Sequence, residues 1–221
     1  MNKLMLPMLC MLVAACGPSP GDQDFDAVIL RAERGDALAQ YQLGRMYDLG
    51  ESIPEDDAES FKWYSMAAEQ GVPEAQHRLG LMYEFGLNVA KDETEAAQWY
   101  YVAAELGLPQ AQYETGRMYY LGLGGFTTNY AKAAEFFHMA AEQGNTKAQH
   151  VLGEMYYTGS GVQQSYYHSY VWLSVSVTNG GAGSSERDSS AKALTTDDLE
   201  AAEDHTAKLL KEIKARKAVR G

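Results

Sequence analysis

The side chains suited to covalent or metal chemistry are few and scattered. Histidines stand at 77, 138, 150, 168 and 205. An imidazole nitrogen can ligate zinc or act as a general base. No His-Glu-x-x-His brings two of them onto one helical turn. Ser189-x-x-Lys192, within "SSAK", pairs a potential nucleophile with a potential base. Two cysteines, Cys10 and Cys16, both lie in the first sixteen residues, which leaves no thiolate cluster for a metal further on. No glycine-rich loop has the spacing that cradles a phosphate. A second kind of chemistry is binding, and there the chain is richer. Tyr41, His77, Tyr113 and His150 recur at nearly constant spacing, with arginine and acidic residues alongside.

Which of these side chains can meet depends on the elements that carry them. "AQYQLGRMYDLG" (39–50) returns as "AQHRLGLMYEFG" (75–86), "AQYETGRMYYLG" (111–122) and "AQHVLGEMYYTG" (148–159). Gly44, Gly80, Gly116 and Gly153 are spaced 36, 36 and 37 residues apart, and Gly35, Gly71, Gly107, Gly144 and Gly180 keep the same rhythm. A fixed period of this length means a stack of helical or mixed supersecondary units. The extra residue of the third unit falls in "GLGGFTTN" (122–129), against "GLNVAKD" (86–92).

Each unit reads as two helices. In helix A, Ala39, Leu43, Met46 and Tyr47 share one helical face. Gly44 costs that helix roughly 1 kcal/mol relative to alanine, so its recurrence predicts close backbone approach by a neighbouring helix. Gly50, Gly86, Gly122 and Gly159 are placed to end helix A as C-caps. Helix B opens on Asp56 with Glu59, and on Asp92 with Glu95, the spacing of a capping box. It continues "AESFKWYSMAAEQG", "TEAAQWYYVAAELG" and "AKAAEFFHMAAEQG". Trp63, Trp99, Phe136 and Trp172 make one column, and Ala67, Ala103 and Ala140 another, bulky against small.

These elements limit the chemistry. His77 and His150 share a column two units apart. Packed helices lie ~8–10 Å apart, so the two rings are roughly 20 Å from one another, and zinc bonds of ~2 Å cannot join them. His138 and His168 fall in helix B and His205 in the last helix. The expectation is no metal site, no cofactor and no catalysis.

Positions that hold across the copies read as packing, and positions that drift read as free of it. In helix A the drifting positions are Leu38, Tyr41, Arg45 and Asp48; then Glu74, His77, Leu81 and Glu84; then Gln110, Tyr113, Arg117 and Tyr120; then Lys147, His150, Glu154 and Tyr157. Their spacing puts each set on one face. Aromatic residues and arginine are frequent binding hot spots. A merely solvated face, the alternative, favours lysine and glutamate.

The pattern A-Q-x-x-L-G-x-M-Y-x-x-G, a short loop, then A-A-x-W-Y-x-x-A-A-E-Q-G resembles the Sel-one-like repeat (SLR), a relative of the tetratricopeptide repeat. Four copies cover residues 37 to 180, within a segment 36–180. The resemblance implies an all-α helix-turn-helix solenoid, a right-handed superhelix. "FDAVILRAERG" (25–35) resembles a lone helix B that caps the N-terminus. Residues 181–221 then correspond to C-terminal capping helices, with Arg187-Asp188 in the first and Thr195 or Thr196 capping the second. The fourth helix B departs from the family pattern, with Ser176 and Val177 for the alanine pair. The resemblance further implies a concave groove that holds a protein or peptide segment, with Tyr41, His77, Tyr113 and His150 along its centre. Arg45, Asp48, Leu81, Glu84, Arg117, Tyr120, Glu154 and Tyr157 flank it. The expected function is a non-catalytic interaction scaffold or adaptor. A binder of cell-wall glycan or exopolysaccharide is the alternative, since tyrosines stack on sugars. A penicillin-recognising hydrolase is a weaker one: Ser189-x-x-Lys192 matches that family's opening motif, but its S-D-N and K-T-G partners are absent.

The two ends add location. "MNKLMLPMLCMLVAAC" has a cation at Lys3, an apolar run and then small residues, a secretory signal over 1–15 that is too short to span a bilayer. Val13-Ala14-Ala15-Cys16 resembles a bacterial lipobox; an ordinary cleaved signal is the alternative. The lipobox implies acylation of Cys16 and anchorage in a bilayer, each buried methylene contributing ~0.8 kcal/mol. Gly17, where aspartate would signal inner-membrane retention, leans toward the outer membrane of a Gram-negative envelope, facing the periplasm. "GPSPGDQD" then reads as a flexible tether over 16–24. The formal net charge of −12 argues against nucleic acid as a partner. The basic residues near the end, Lys208 to Arg220, read as the solvated face of a closing helix.

Overall fold

Helix start and stop signals recur with the sequence period, and the chain follows them. The computed structural model of the chain describes residues 20–51 and 53–220, and every regular element in it is a helix. Helix α1 spans Pro20–Glu33. Helices A of the four repeats are α2 (Ala37–Leu49), α4 (Pro73–Phe85), α6 (Pro109–Leu121) and α8 (Thr146–Thr158). Helices B are α3 (Asp57–Glu69), α5 (Glu93–Glu105), α7 (Tyr130–Glu142) and α9 (Tyr166–Thr178). Two further helices close the array, α10 (Ser184–Ala193) and α11 (Thr196–Arg220). Residues 1–15, Cys16 and the first part of the tether lie outside the described residues.

Each helix A ends on a left-handed glycine. Gly50, Gly86, Gly122 and Gly159 have φ of 65°, 68°, 69° and 77°, and their N–H groups donate to the carbonyls of Met46, Met82, Met118 and Met155. Only glycine takes this conformation at little cost. Each helix B is capped by Asp56, Asp92, Asn129 or Ser165. The expected capping box forms only by half at Asp56. Its carboxylate accepts from the N–H groups of Ala58 and Glu59, but the Glu59 carboxylate accepts from Trp63 Nε1 and Lys62 Nζ instead. The reason lies in the stack. The cap residue's own N–H already donates to a helix A carbonyl: Asp56 to Tyr47, Asp92 to Tyr83, Asn129 to Tyr119 and Ser165 to Tyr156. The cap therefore ties helix B to helix A within every repeat.

A bulky side chain of helix B lies on the mid-helix glycine. A Cβ added at Gly44, Gly80, Gly116 or Gly153 would come within 2.8, 2.5, 2.8 and 2.6 Å of the side chains of Tyr64, Tyr100, Phe137 and Leu173. The glycine thus admits a ring or a leucine side chain, where the sequence suggested a neighbouring backbone. These four are among the largest fully buried side chains, while Trp99 of the expected tryptophan column is only half-buried. Fully burying a side chain of this size is worth roughly 1.5–3 kcal/mol.

Successive repeats are joined by a buried glutamine. Nε2 of Gln40, Gln76, Gln112 and Gln149 donates to the carbonyls of Ala32, Ala68, Ala104 and Ala141, each in the last turn of the preceding helix B. Ala32 belongs to α1, so α1 fills the helix B place ahead of the first repeat. Helix α1 starts at Pro20 and takes in residues 20–24, which composition had placed in the tether. Proline suits a first helical position because its φ is preset and no partner is needed for the missing N–H.

At the other end, Thr195 Oγ1 accepts from the Asp198 N–H and donates to the Asp198 carboxylate, which starts α11. Ala202, Leu209 and Ile213 of α11 join one buried cluster with Trp172 and Val175 of α9.

Candidate functional site

Helical spacing puts the residues expected to line a groove on one side of each helix A, and many of them are not free of packing. The Tyr41 ring tilts against Tyr64 at 5.8 Å, His77 against Tyr100 at 5.6 Å and Tyr113 against Phe137 at 5.7 Å. Two turns further on, Asp48 accepts a hydrogen bond from the Tyr64 hydroxyl at 3.0 Å, and Glu84 accepts from the Tyr100 hydroxyl at 2.7 Å. In the third and fourth repeats helix B has Phe137 and Leu173 at those places, which carry no hydroxyl, and helix A has Tyr120 and Tyr157 in place of the acid. Tyr120 packs edge-on against Tyr130 at 5.0 Å, and Tyr157 against Tyr166 at 5.5 Å. The drift between copies is therefore paired change, acid with tyrosine and ring with apolar side chain. The premise that drifting positions escape packing does not hold for these residues, although it does for exposed Leu38, Arg45, Gln110 and Lys147.

Charge links the second and third repeats. The Arg117 guanidinium pairs with Glu84 and, at 2.7 Å, with Glu114. Tyr100, Glu84, Arg117 and Glu114 thus form one chain of charge-assisted bonds. Its counterpart between the first and second repeats is looser, Asp48 lying 3.8 Å from Arg78. Arg45 is exposed, and half-buried Leu81 packs on the cluster of Tyr100 and Met118. Burial, aided by the neighbouring carboxylates, holds the Tyr64 and Tyr100 phenols above the ordinary range. Burial, with the Arg78 charge adding and Glu84 opposing, lowers His77 to about 4. His77 is therefore a neutral ring at physiological pH, suited to stacking and hydrogen bonding.

His150 is covered along one edge of its ring. Its Nδ1 is buried with no hydrogen-bond partner among the described residues, and the turn before α10 lies on it, since a Cβ at Gly183 would be 2.9 Å from that nitrogen. Its Nε2 lies 3.6 Å from Glu154. Over the middle of the array the stripe is accessible. There a depression of about 380 Å³ brings together His77, Leu81, Gln110, Tyr113, Glu114 and Lys147 from three successive helices A. The Lys147 ammonium sits 5.7 Å over the Tyr113 ring. The mixture of rings, amide and both charges suits a peptide segment, whose backbone and side chains need all of these.

The catalytic candidates are occupied with structure. Ser189 Oγ donates to the Ser185 carbonyl one turn back. His138 lies edge-on to Trp172, His168 stacks on Tyr156 and His205 tilts against Tyr167. Among the described residues no three His, Cys, Asp or Glu side chains converge as a metal site. Sequence reasoning passed over the joining glutamines and the buried column Tyr64, Tyr100, Phe137 and Leu173. Both signals were present: the "AQ" pair in every copy, and the acid-to-tyrosine step of 16 residues from Asp48 to Tyr64 and from Glu84 to Tyr100.

Known proteins can be set beside this geometry. The family model described as Sel1 repeat matches residues 37–72, 73–108, 109–145 and 146–180. Among solved structures, the chain is similar to c5321, a protective antigen present in uropathogenic Escherichia coli strains and displaying an SLR fold. Identity is 30% and the TM-score 0.72, over 88% of this chain and 42% of that one. It is also similar to a Sel1 repeat protein from Oxalobacter formigenes, at 32% identity and a TM-score of 0.69, over 75% of this chain and 48% of that one. The chain therefore spans less than half the length of each of these two. No curated protein matches it significantly.

Proposed function

Because the chain belongs to the Sel1 repeat family, whose repeats generally mediate protein–protein interaction and are typically non-catalytic, we propose that it is a scaffold that holds a peptide segment of a partner protein on its helix A face. The observation that carries this is the depression over the middle repeats, walled by His77, Tyr113, Glu114 and Lys147. Its walls come from three repeats, so only the stacked array creates it. The partner segment lays apolar side chains against Tyr113 and Leu81 and pairs charges with Lys147 and Glu114. We place the scaffold at the bacterial envelope, held to a bilayer through Cys16 and facing the periplasm, on the strength of the lipobox-like Val13-Ala14-Ala15-Cys16.

Photo-crosslinking in intact cells tests the reading. A photoreactive side chain replaces exposed Gln110 at the rim of the depression, and a control replaces exposed Glu135 on helix α7. A distinct protein adduct from position 110 and none from 135 supports the proposal and supplies the partner for identification. Equal adducts from both, or none from 110, refute it. The anchor has its own readout: Cys16→Ala should move the protein from the membrane fraction to the soluble periplasmic fraction.

A further inference from the structure

The far end of α11 is held by a site that the repeat presents more than once. Helix α7 ends in Glu142, with Gly144 in the turn beyond it. Arg216 Nη1 of α11 lies 3.3 Å from the Glu142 carboxylate and 3.4 Å from its carbonyl oxygen. Lys217 Nζ donates to the Gly144 carbonyl at 3.2 Å. Lys217 and Ile213 lie so low over Gly144 that an added Cβ would meet Lys217 Cε at 2.2 Å. Three features make the site: a carboxylate in the last turn of a helix, carbonyls at that helix's negative end, and a bare glycine over which an aliphatic stem can lie.

All three recur at the ends of α3 and α5. Glu69 and Glu105 stand where Glu142 stands, and Gly71 and Gly107 where Gly144 stands. The backbones match, with φ of 88°, 89° and 84° at Gly71, Gly107 and Gly144. Each of these glycine N–H groups donates to the carbonyl three residues back at 2.9 Å. The occupancy differs. Nothing lies within 4 Å of a Cβ placed on Gly71 or Gly107, and Glu69 and Glu105 are exposed. The apolar surface beside them is open too. Met66, Val102 and Met139 form a column on helices B that is 38%, 43% and 40% exposed. The next member, Val175, is fully buried in the cluster that α11 completes with Leu209 and Ile213. A depression of about 450 Å³ starts at Lys217 and runs over Gly107 and Leu106 to Glu74 and Pro73. The open surface is thus continuous with the covered one.

We infer that this edge is a second binding surface, bordering the helix A depression at Gln110 but centred on the ends of helices B, and that it takes a helical segment of a partner protein built like α11: apolar along one side and ending in a pair of cations. The chain itself shows the chemistry that fits, because α11 occupies one copy of the site. The exposed glutamates and the negative helix ends complement a basic helix end, and the methionine and valine column complements its apolar side.

The test uses a probe with the sequence of residues 199–220, titrated into the isotope-labelled full chain while the glycine amides are followed by NMR. Saturable shifts at Gly71 and Gly107 are expected, with binding weakened about tenfold by Glu69→Lys with Glu105→Lys. Both residues are exposed, so the fold tolerates the change. A probe carrying Arg216→Glu and Lys217→Glu should bind the wild-type chain poorly and the charge-reversed chain well. Shifts confined to Gly144 and α9 would mean that the probe merely displaces the resident helix, and would overturn the inference. So would shifts that survive charge reversal, or none at all. If concentrating the full chain alone moves the same amides, the occupant is a second copy and the proposal fails. Shifts at His77 and Tyr113 without Gly71 or Gly107 would also overturn it, while leaving the helix A reading intact.

Discussion

In the second repeat a buried acceptor lacks the donor that its equivalents have. Gln70 Nε2 donates to Gln40 Oε1 at 2.6 Å, Gln143 Nε2 to Gln112 Oε1 at 2.6 Å and Asn179 Nδ2 to Gln149 Oε1 at 3.1 Å. At the corresponding place after α5 stands Leu106, and Gln76 Oε1 is buried with no hydrogen-bond partner among the described residues. The bond from Gln76 Nε2 to the Ala68 carbonyl fixes which way the amide points, so the orphan is the oxygen. The backbone is already suited to glutamine: Leu106 has φ −78° and ψ 0°, and Gln70 has φ −84° and ψ 2°. Leu106 is 54% exposed, so little apolar burial is lost on replacement. A buried unsatisfied acceptor costs about 1–3 kcal/mol, and ordering one more glutamine side chain takes back part of that. Leu106→Gln should therefore stabilise the protein by about 1 kcal/mol, which raises Tm by roughly 2–4 °C for a chain of this size. The assay is urea and thermal unfolding followed by circular dichroism. Leu106→Glu is the control, since it removes the same leucine but an ionised carboxylate cannot donate. The expected order is glutamine above leucine, with glutamate at or below leucine. Equal gains from both substitutions would show that losing a surface leucine matters and the orphaned oxygen does not. No gain from glutamine would refute the reasoning outright.

Two further predictions rest on packing and on charge. Gly80→Ala should destabilise by about 1–3 kcal/mol in urea, although helix propensity alone favours alanine by about 1 kcal/mol; the new Cβ would lie 2.5 Å from the Tyr100 ring, and a neutral or stabilising result would refute that packing. His77, lowered by burial from 6.5 to about 4, stays neutral in the fold while the unfolded chain takes up a proton. Its contribution is complete above pH 6.5, is lost as pH falls from 6.5 to 4, and is constant below that, at most about 3 kcal/mol in all. The urea midpoint of His77→Gln should therefore fall less than that of the wild type between pH 7 and 4.5, and parallel slopes would sink the assignment.

Much of the architecture was legible because its signals are local and repeated. The glycine C-caps at 50, 86, 122 and 159 and the acidic caps at 56 and 92 act within one helical turn. Once a period of about 36 residues is seen, the helix pairs follow from face and spacing. The candidate site was legible only in part. Tyr41, His77 and Tyr113 were placed together from their columns, and they do share a face. That Asp48 and Glu84 serve buried tyrosines left only a faint mark in the sequence, a step of 16 residues repeated in two copies, and the packed pairs made it plain.

What the sequence determined by itself is the repeat unit: its two helices and the residues that start and end them. What the tertiary structure decided is how each unit uses its neighbours. Stacking turned the "AQ" glutamine into a joint to the preceding helix B, and set the Gln76 copy beside Leu106, which has no donor to offer. It folded the Gly183 turn against the Nδ1 edge of His150. It brought Arg216 to Glu142, 74 residues away, while the equivalent edges at Glu69 and Glu105 stayed bare. The physical reason is one of range. Caps and helical periodicity act between residues a few positions apart, whereas these contacts need surfaces that exist only after the repeats have packed.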